Sequence, residues 1–231
     1  MDPLPIPLPL VSDPAPPCPA SLRELGIRRS LSSGDVLGAE HQRPRGLIVL
    51  ETGALVAETM APSGNRAVLG VLGPGDICGE HLLLNDSDRW PRRGRPHPML
   101  PQYRALLPSR VRVIAEADLT TALAAERDAA AWLASRLAGR VADAQRALAM
   151  TLSLRLADRT AELLGGLARA WGSRSPSGVR IELPLTQDDL AAMLGATRES
   201  VNRTLRALHR SGRIARSGRS YVVRPVEEAF P

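Results

Sequence analysis

Five polar residues between positions 198 and 206 have side chains that suit the edges of nucleic-acid bases. Arg198 and Arg203 can each offer two donors to O6 and N7 of guanine, and Glu199 can accept from N4 of cytosine. Asn202 and Arg206 flank them and can contact adenine or a phosphate. In a helix, Arg198 and Arg203 lie one turn plus one residue apart. We therefore predict one polar helix face that reads a major groove.

Two helices joined by a tight turn would position these side chains. Thr186 is a good N-cap for the first helix, and Gly195 ends it because glycine adopts the left-handed C-cap conformation at little steric cost. Thr197 caps the second helix. Apolar residues at helical spacing give each helix a buried side: Leu190, Met193 and Leu194 in the first, Val201, Leu205 and Leu208 in the second.

The positive charge of the chain is concentrated around these helices. Residues 173–224 hold ten arginines and four acidic residues, whereas the remainder holds twenty arginines and twenty acidic residues. The formal net charge of +6 therefore belongs to this part, which is typical of a phosphate-backbone binder. Residues 212–223 read as a β-hairpin with a Ser-Gly turn, and Arg219 at that turn is a predicted phosphate contact.

The run T-Q-x-x-L-A-x-x-x-G-x-T-R-E-x-V-x-R-x-L, which begins at Thr186, resembles the bacterial transcription regulators related to the cyclic AMP receptor protein and the fumarate–nitrate reduction regulator (the CRP/FNR family). The resemblance implies a homodimer on a palindromic double-stranded operator, with RNA polymerase as a further partner. It implies these DNA-binding residues: Thr186, Gln187, Thr197, Arg198, Glu199, Asn202, Arg203, Arg206 and Arg219.

Short apolar runs separated by glycines precede this region. The runs at 47–50, 54–57 and 67–72 predict strands of a small antiparallel β-roll. The last element, P-G-D-I-C-G-E at 74–80, resembles the cyclic-nucleotide-binding-like front domain of the same family. The expected fold class is α+β: a β-roll, a long dimerisation helix and a winged helix-turn-helix.

Composition changes along the chain predict four segments. A disordered Pro-rich arm is expected at 1–20, a β-roll sensor at 21–116, a dimerisation helix at 117–155 and the winged helix-turn-helix at 156–231. Within them we predict a short helix at 21–27, loops at 85–108 and 172–178, and the closing strands of the roll over 103–115. A four-three-four-three apolar spacing on the long helix predicts the dimer seam: Leu137, Val141, Ala144, Leu148 and Thr151.

The resemblance also implies an effector site in the β-roll. The residues it suggests are Gly79, Glu80, Arg104 and Gln145. In family members that bind cyclic nucleotides, an arginine followed by a small hydroxyl residue grips the cyclic phosphate. Here Gln102 falls at the arginine position, so we expect cyclic AMP to bind weakly or not at all.

Two alternatives use other residues of the roll. Cys78 and His81 suggest a haem- or redox-based gas sensor, and His41 with His81 suggests a metal-dependent jelly-roll enzyme. The chain has only four histidines and two cysteines and contains no H-x-H pair, which disfavours a metal or iron–sulfur site. No phosphate loop or nucleophile elbow is present either. We therefore expect no catalytic residues, no metal and no certain cofactor.

The expected location is the cytoplasm. No apolar run approaches the length of a membrane span, and prolines interrupt the apolar residues at the N-terminus, unlike in a signal peptide. No membrane partner is predicted.

Overall fold

The computed structural model describes residues 17–37, 46–60, 64–80, 101–218 and 220–224. The chain divides into two compact units, Ser12–Ala142 and Asp143–Pro231. Several sequence predictions lie outside the described residues: the arm at 1–16, the loop at 85–100, His41, His81 and Arg219.

The first unit is a β-roll with helices at its two ends. Its strands are β1 (Ile27–Leu31), β2 (Val36–Leu37), β3 (Gly46–Thr52), β4 (Leu55–Met60), β5 (Arg66–Leu72), β6 (Ile77–Cys78), β7 (Gln102–Ala105) and β8 (Ser109–Ala115). Its helices are α1 (Ala20–Glu24), α2 (Glu116–Ala125) and the first part of α3 (Arg127–Ser153). The strands form two antiparallel sheets in the orders β1-β8-β3-β6 and β2-β7-β4-β5. The predicted roll is confirmed.

Strand β3 separates two apolar cores in this unit. Alternate side chains of a strand point to opposite faces. Ile48 and Leu50 therefore lie inside the roll, whereas Leu47 and Val49 lie in a second core that also contains Trp132 of α3. Both faces of β3 are buried, which is why residues 47–50 form an uninterrupted apolar run instead of an alternating one.

The second unit contains the remainder of α3 and the helix-turn-helix. Its other elements are α4 (Leu156–Trp171), β9 (Gly172–Ser175), β10 (Gly178–Ile181), α5 (Gln187–Leu194), α6 (Arg198–Arg210), β11 (Ile214–Ser217) and β12 (Ser220–Val223). The four strands form one antiparallel sheet in the order β11-β12-β10-β9. Leu163, Leu164 and Leu167 of α4 are fully buried and provide the core of this unit.

Four element predictions need correction. The end of the loop expected at 108 is wrong, because β7 already begins at Gln102 and pairs with β2 and β4; the closing strands expected over 103–115 are β7 and β8. The loop expected at 172–178 is the hairpin β9–β10. The helix expected at 117–155 is two helices, since Glu126 adopts an extended backbone conformation between α2 and α3. The helix expected at 21–27 ends at Glu24, and Ile27 begins β1.

Candidate functional site

Helix α5 begins at a reciprocal capping box. The Thr186 hydroxyl accepts a hydrogen bond from the Asp189 backbone N–H at 3.0 Å, and the Asp189 carboxylate accepts one from the Thr186 N–H at 2.9 Å. Two backbone donors at the helix end are thereby satisfied. Gly195 ends α5 with φ 58° and ψ 39°, the left-handed conformation that glycine tolerates best. The predicted cap and turn are both confirmed.

Helix α6 follows after three residues and presents its polar side to solvent. Thr197 is its N-cap, and the Thr197 hydroxyl accepts a hydrogen bond from the Ser200 N–H at 3.2 Å. The predicted apolar side is buried: Val201, Leu205 and Leu208. On the opposite side four candidates are exposed and one is half-buried: Arg198, Glu199, Arg203, Arg206 and Asn202. The sequence thus predicted both faces of this helix correctly.

Arg198 has one ionic neighbour at the helix start. A guanidinium nitrogen of Arg198 lies 3.6 Å from a carboxylate oxygen of Asp188 in α5. Both side chains are more than half exposed, so solvent screens the pair and it holds Arg198 only loosely.

A groove with a volume of about 860 Å³ lies between α6 and the hairpin β11–β12. Its basic residues are Arg203, Arg206, His209, Arg210 and Arg216. Glu199 and Asn202 complete its polar lining along α6. Within the described residues, none of the four arginines has a carboxylate at ion-pairing distance. The groove is therefore a concave surface with an excess of positive charge, four arginines against Glu199.

Tyr221 joins the hairpin to helix α5. Its hydroxyl is hydrogen-bonded to the side chain of Gln187. Burial raises the pKa of Tyr221, while nearby Arg216 and this hydrogen bond act in the opposite direction. Gln187, which we predicted to contact DNA, thus also has a partner inside the protein.

Three basic residues of the groove were missed at the sequence level: His209, Arg210 and Arg216. His209 and Arg210 follow Arg206 by three and four residues, so the helical period itself would have placed them on the same side. Arg216 gave no such signal, because only the position of β11 beside α6 brings it to the groove.

In the β-roll, the predicted effector residue Gly79 already has an internal partner. Its backbone N–H donates to the Tyr103 hydroxyl, with 3.3 Å between nitrogen and oxygen. Tyr103 is 3% exposed, and burial raises its pKa. The phenol therefore stays protonated in the folded chain at neutral pH.

Glu80 is held by α3. One carboxylate oxygen lies 3.0 Å from a guanidinium nitrogen of Arg140, which also donates to the backbone carbonyl of Ile77 at 2.7 Å. The other oxygen, Oε2, is buried and has no hydrogen-bond partner among the described residues. An unpaired buried acceptor is costly.

Arg104 does not face the interior of the roll. Tyr103 and Ala105 of β7 belong to the interior core, so the intervening side chain of Arg104 lies on the outer face of the sheet. There its guanidinium donates to both carboxylate oxygens of Glu58 at 3.3 Å. The prediction that Arg104 binds an interior effector is therefore corrected. The fourth candidate, Gln145, belongs to the second unit and is exposed there.

The predicted dimer seam on α3 is open to solvent in the single chain. Leu137 is 36% exposed, Val141 58% and Leu148 61%. Ala144 and Thr151 are exposed as well. Successive turns of α3 thus each carry an exposed apolar side chain. Such a stripe is unusual on a helix that packs only against its own domain.

Cys78 does not suit the gas-sensor alternative. Its side chain is buried inside the roll, and burial raises the pKa of the thiol well above its usual value. A buried, protonated thiol is a poor metal ligand and a poor redox group. In the part of the chain that the structure describes, no group of three or more His, Cys, Asp or Glu side chains could hold a metal ion. Nor does any helix described there have the length and apolarity to cross a membrane.

Two family profiles match the chain. The Crp-like helix-turn-helix domain matches residues 158–228, and the cyclic nucleotide-binding domain matches residues 28–126. Together they cover both units and coincide with the helix-turn-helix and the β-roll described above.

Whole-chain comparisons agree with the two profiles. The chain is 27% identical over 201 residues to a CRP-like cAMP-activated global transcriptional regulator of Mycobacterium tuberculosis, covering 82% of this chain and 80% of that protein. It is 27% identical over 202 residues to the regulatory protein CysR of Synechococcus elongatus, covering 85% and 86%. The solved structure of a CRP-family transcriptional regulator from Thermus thermophilus has a similar fold, with a TM-score of 0.68, 22% identity and coverage of 84% of this chain and 91% of that one.

Proposed function

The chain belongs to the CRP/FNR family of transcription regulators, and we propose that it binds an inverted-repeat operator as a homodimer, with α6 in the major groove. The observation that carries this proposal is the polar face of α6. It is exposed, it stands on a doubly capped helix-turn-helix, and its arginines beside the groove lack carboxylate partners among the described residues. The two copies of α6 would enter half-sites about one helical turn of DNA apart, roughly 34 Å.

The base-reading residues of this proposal lie in the first two turns of α6. Arg198 and Arg203 each contact a guanine in bidentate fashion, and Glu199 accepts from a cytosine. Asn202 contacts an adjacent adenine. Together these side chains favour a half-site of the G-T-G-A type, as the family resemblance implies.

The phosphate contacts come from the rest of the surface. Thr186, Gln187 and Thr197 lie at helix starts, where backbone N–H groups favour anions. The groove adds Arg206, His209, Arg210 and Arg216, and Arg219 would extend it along the hairpin. Such contacts fix the orientation of the protein on the duplex and carry no sequence information.

The dimer would form along α3. The exposed apolar residues Leu137, Val141, Ala144 and Leu148 repeat at the four-three-four spacing of a two-stranded coiled coil. A two-fold dimer of this kind matches the symmetry of an inverted repeat.

The β-roll is the sensor domain, and we do not assign cyclic AMP as its effector. The relative from Mycobacterium tuberculosis is described as cAMP-activated. In this chain Gln102 occupies the expected arginine position, Arg104 pairs with Glu58 on the outer face, and Gly79 and Glu80 have internal partners.

A DNA-binding regulator acts where the chromosome is, so we place the protein in the cytoplasm. Its further partner is RNA polymerase, and it catalyses no reaction of its own.

A binding selection from random duplexes tests the proposed reading role. The wild type should recover an inverted repeat. Arg203→Ala should lose about 1–3 kcal/mol of binding free energy and relax the preference at one guanine. Arg216→Ala should weaken binding to all sequences alike. It should also lower, by about 1, the slope of the logarithm of the binding constant against the logarithm of the salt concentration.

The matched control is Arg174→Ala, which removes one exposed arginine of β9 that does not line the groove. It should leave both the preferred sequence and the salt slope close to wild type. Recovery of no inverted repeat, or of one that Arg203→Ala leaves unchanged, would remove α6 from its reading role.

A further inference from the structure

A tyrosine lies in the interior of the β-roll. Tyr103 of β7 lies in a core formed by side chains of both sheets, among them Leu37, Ile48, Leu55 and Val111. It is 3% exposed, so the phenol ring takes up part of the space that the two sheets enclose. The surrounding side chains are apolar, and the hydroxyl is the polar end of an otherwise hydrophobic group.

The hydroxyl end of Tyr103 reaches the backbone of Gly79. Gly79 has φ 80°, in the left-handed region that favours glycine, and a Cβ there would lie 3.0 Å from the Gly46 carbonyl oxygen. This conformation lets the Gly79 N–H donate to the Tyr103 hydroxyl. The Tyr103 hydroxyl thus accepts the hydrogen bond from the Gly79 N–H that a bound effector would be expected to accept.

The charged groups of the same segment are also matched internally. Arg140 holds one oxygen of Glu80 and the carbonyl of Ile77, so its guanidinium is engaged on two sides. Arg136 pairs with Asp76 in a buried ion pair at 2.7 Å. Two buried side-chain atoms of these groups have no hydrogen-bond partner among the described residues: the acceptor Oε2 of Glu80 and the donor Nε of Arg136.

We propose that Tyr103 is the specificity-determining residue of this sensor domain: its side chain is a built-in occupant that excludes a cyclic nucleotide. The inference rests on the proposed function in taking the β-roll as the sensor. Its physical basis is steric and polar at once, because the ring takes up part of the interior and the hydroxyl satisfies the Gly79 N–H. DNA binding by this chain is then independent of added cyclic AMP.

Titration calorimetry on the full chain gives the first test. The wild type and Tyr103→Phe, which keeps the ring, should both release no heat of binding with cyclic AMP. Micromolar binding of cyclic AMP to the wild type would overturn the proposal, because the ring would then not exclude the nucleotide.

Chemical rescue gives the second test. Tyr103→Ala should open a cavity the size of a phenol, and phenol, the missing side-chain fragment, should raise its melting temperature. Apolar cavities of this kind bind aromatic molecules. Wild type and Tyr103→Phe should show no such rise. The matched control, Leu55→Ala, removes a fully buried leucine of the same core and should gain little from phenol, since its cavity has the wrong shape. An equal rise in Tyr103→Ala and Leu55→Ala would overturn the assigned position of the ring.

Amide hydrogen exchange in Tyr103→Phe tests the hydroxyl without opening a cavity. Exchange at the Gly79 amide should accelerate relative to wild type. The Leu50 amide, which donates to the Asp76 carbonyl at 2.9 Å, should not change. An unchanged Gly79 rate would contradict the proposed role of the hydroxyl, and this holds even if Tyr103→Ala fails to fold.

A DNA titration separates this proposal from the proposed function. Wild-type affinity for the selected duplex, measured by fluorescence anisotropy, should change less than about twofold when cyclic AMP is added in excess. A clear increase in affinity would overturn the exclusion. If the wild type binds no duplex at all, the proposed function fails, while the calorimetry and the phenol rescue still decide the role of Tyr103.

Discussion

Replacing both Val141 and Leu148 by glutamate should separate the proposed dimer into monomers. The two side chains lie seven residues apart on α3 and are 58% and 61% exposed in the single chain. Full burial of such a side chain contributes about 1.5–3 kcal/mol. Because slightly more than half of each side chain is still exposed in the single chain, burial against a partner would contribute roughly 1–2 kcal/mol for each side chain.

The double substitution removes this contribution from both protomers and adds facing carboxylates. Four apolar side chains are lost in all, with a combined contribution of roughly 4–7 kcal/mol. At 1.4 kcal/mol for each factor of ten, the dimer dissociation constant should rise by at least about a thousandfold. Facing carboxylates in a seam that excludes water add to the loss.

Sedimentation equilibrium over a range of concentrations measures this change directly. The wild type should sediment as a dimer and the double variant as a monomer with unchanged helical content. Ser135→Glu with Ala149→Glu is the matched control, because both residues are exposed on the side of α3 away from the seam. A double seam variant that remains dimeric, or a control that also dissociates, would refute the assigned seam.

Three further predictions concern the fold and its ionisable groups. Asp76→Ala should lower the free energy of unfolding, measured with urea, by about 3–5 kcal/mol, because it leaves the buried guanidinium of Arg136 without its partner. A loss as small as that of an exposed ion pair would contradict this. Thr186→Ala should cost about 1 kcal/mol by removing the cap of α5, and Thr186→Ser should recover most of it. Cys78 should resist iodoacetamide in the folded chain well above neutral pH, since burial raises the thiol pKa, and half-buried Cys18 should react faster. Because the unfolded chain releases the Cys78 proton at lower pH, stability should fall as the pH rises above the usual thiol pKa.

The sequence alone determined the helix-turn-helix of this protein. The caps at Thr186 and Thr197, the turn at Gly195 and the buried faces of α5 and α6 depend on residues within one or two helical turns of each other. Local propensity and helical period govern such features. The same reasoning explains why the exposed stripe on α3 could be predicted, since its spacing follows from one continuous helix.

The tertiary structure decided what lies inside the β-roll and along the groove. At 103–108 the sequence predicted both the end of a loop and the start of a closing strand, and the pairing of Gln102–Ala105 with β2 and β4 decided for a strand there. That strand then fixed which side chain faces inward: Tyr103 does, and Arg104 does not. A shift of one residue would exchange the two, because strand side chains alternate between faces. Arg216 reaches the groove for a different reason. Its strand β11 pairs locally with β12, and it is the position of this hairpin beside α6, which no sequence period records, that brings Arg216 to the groove.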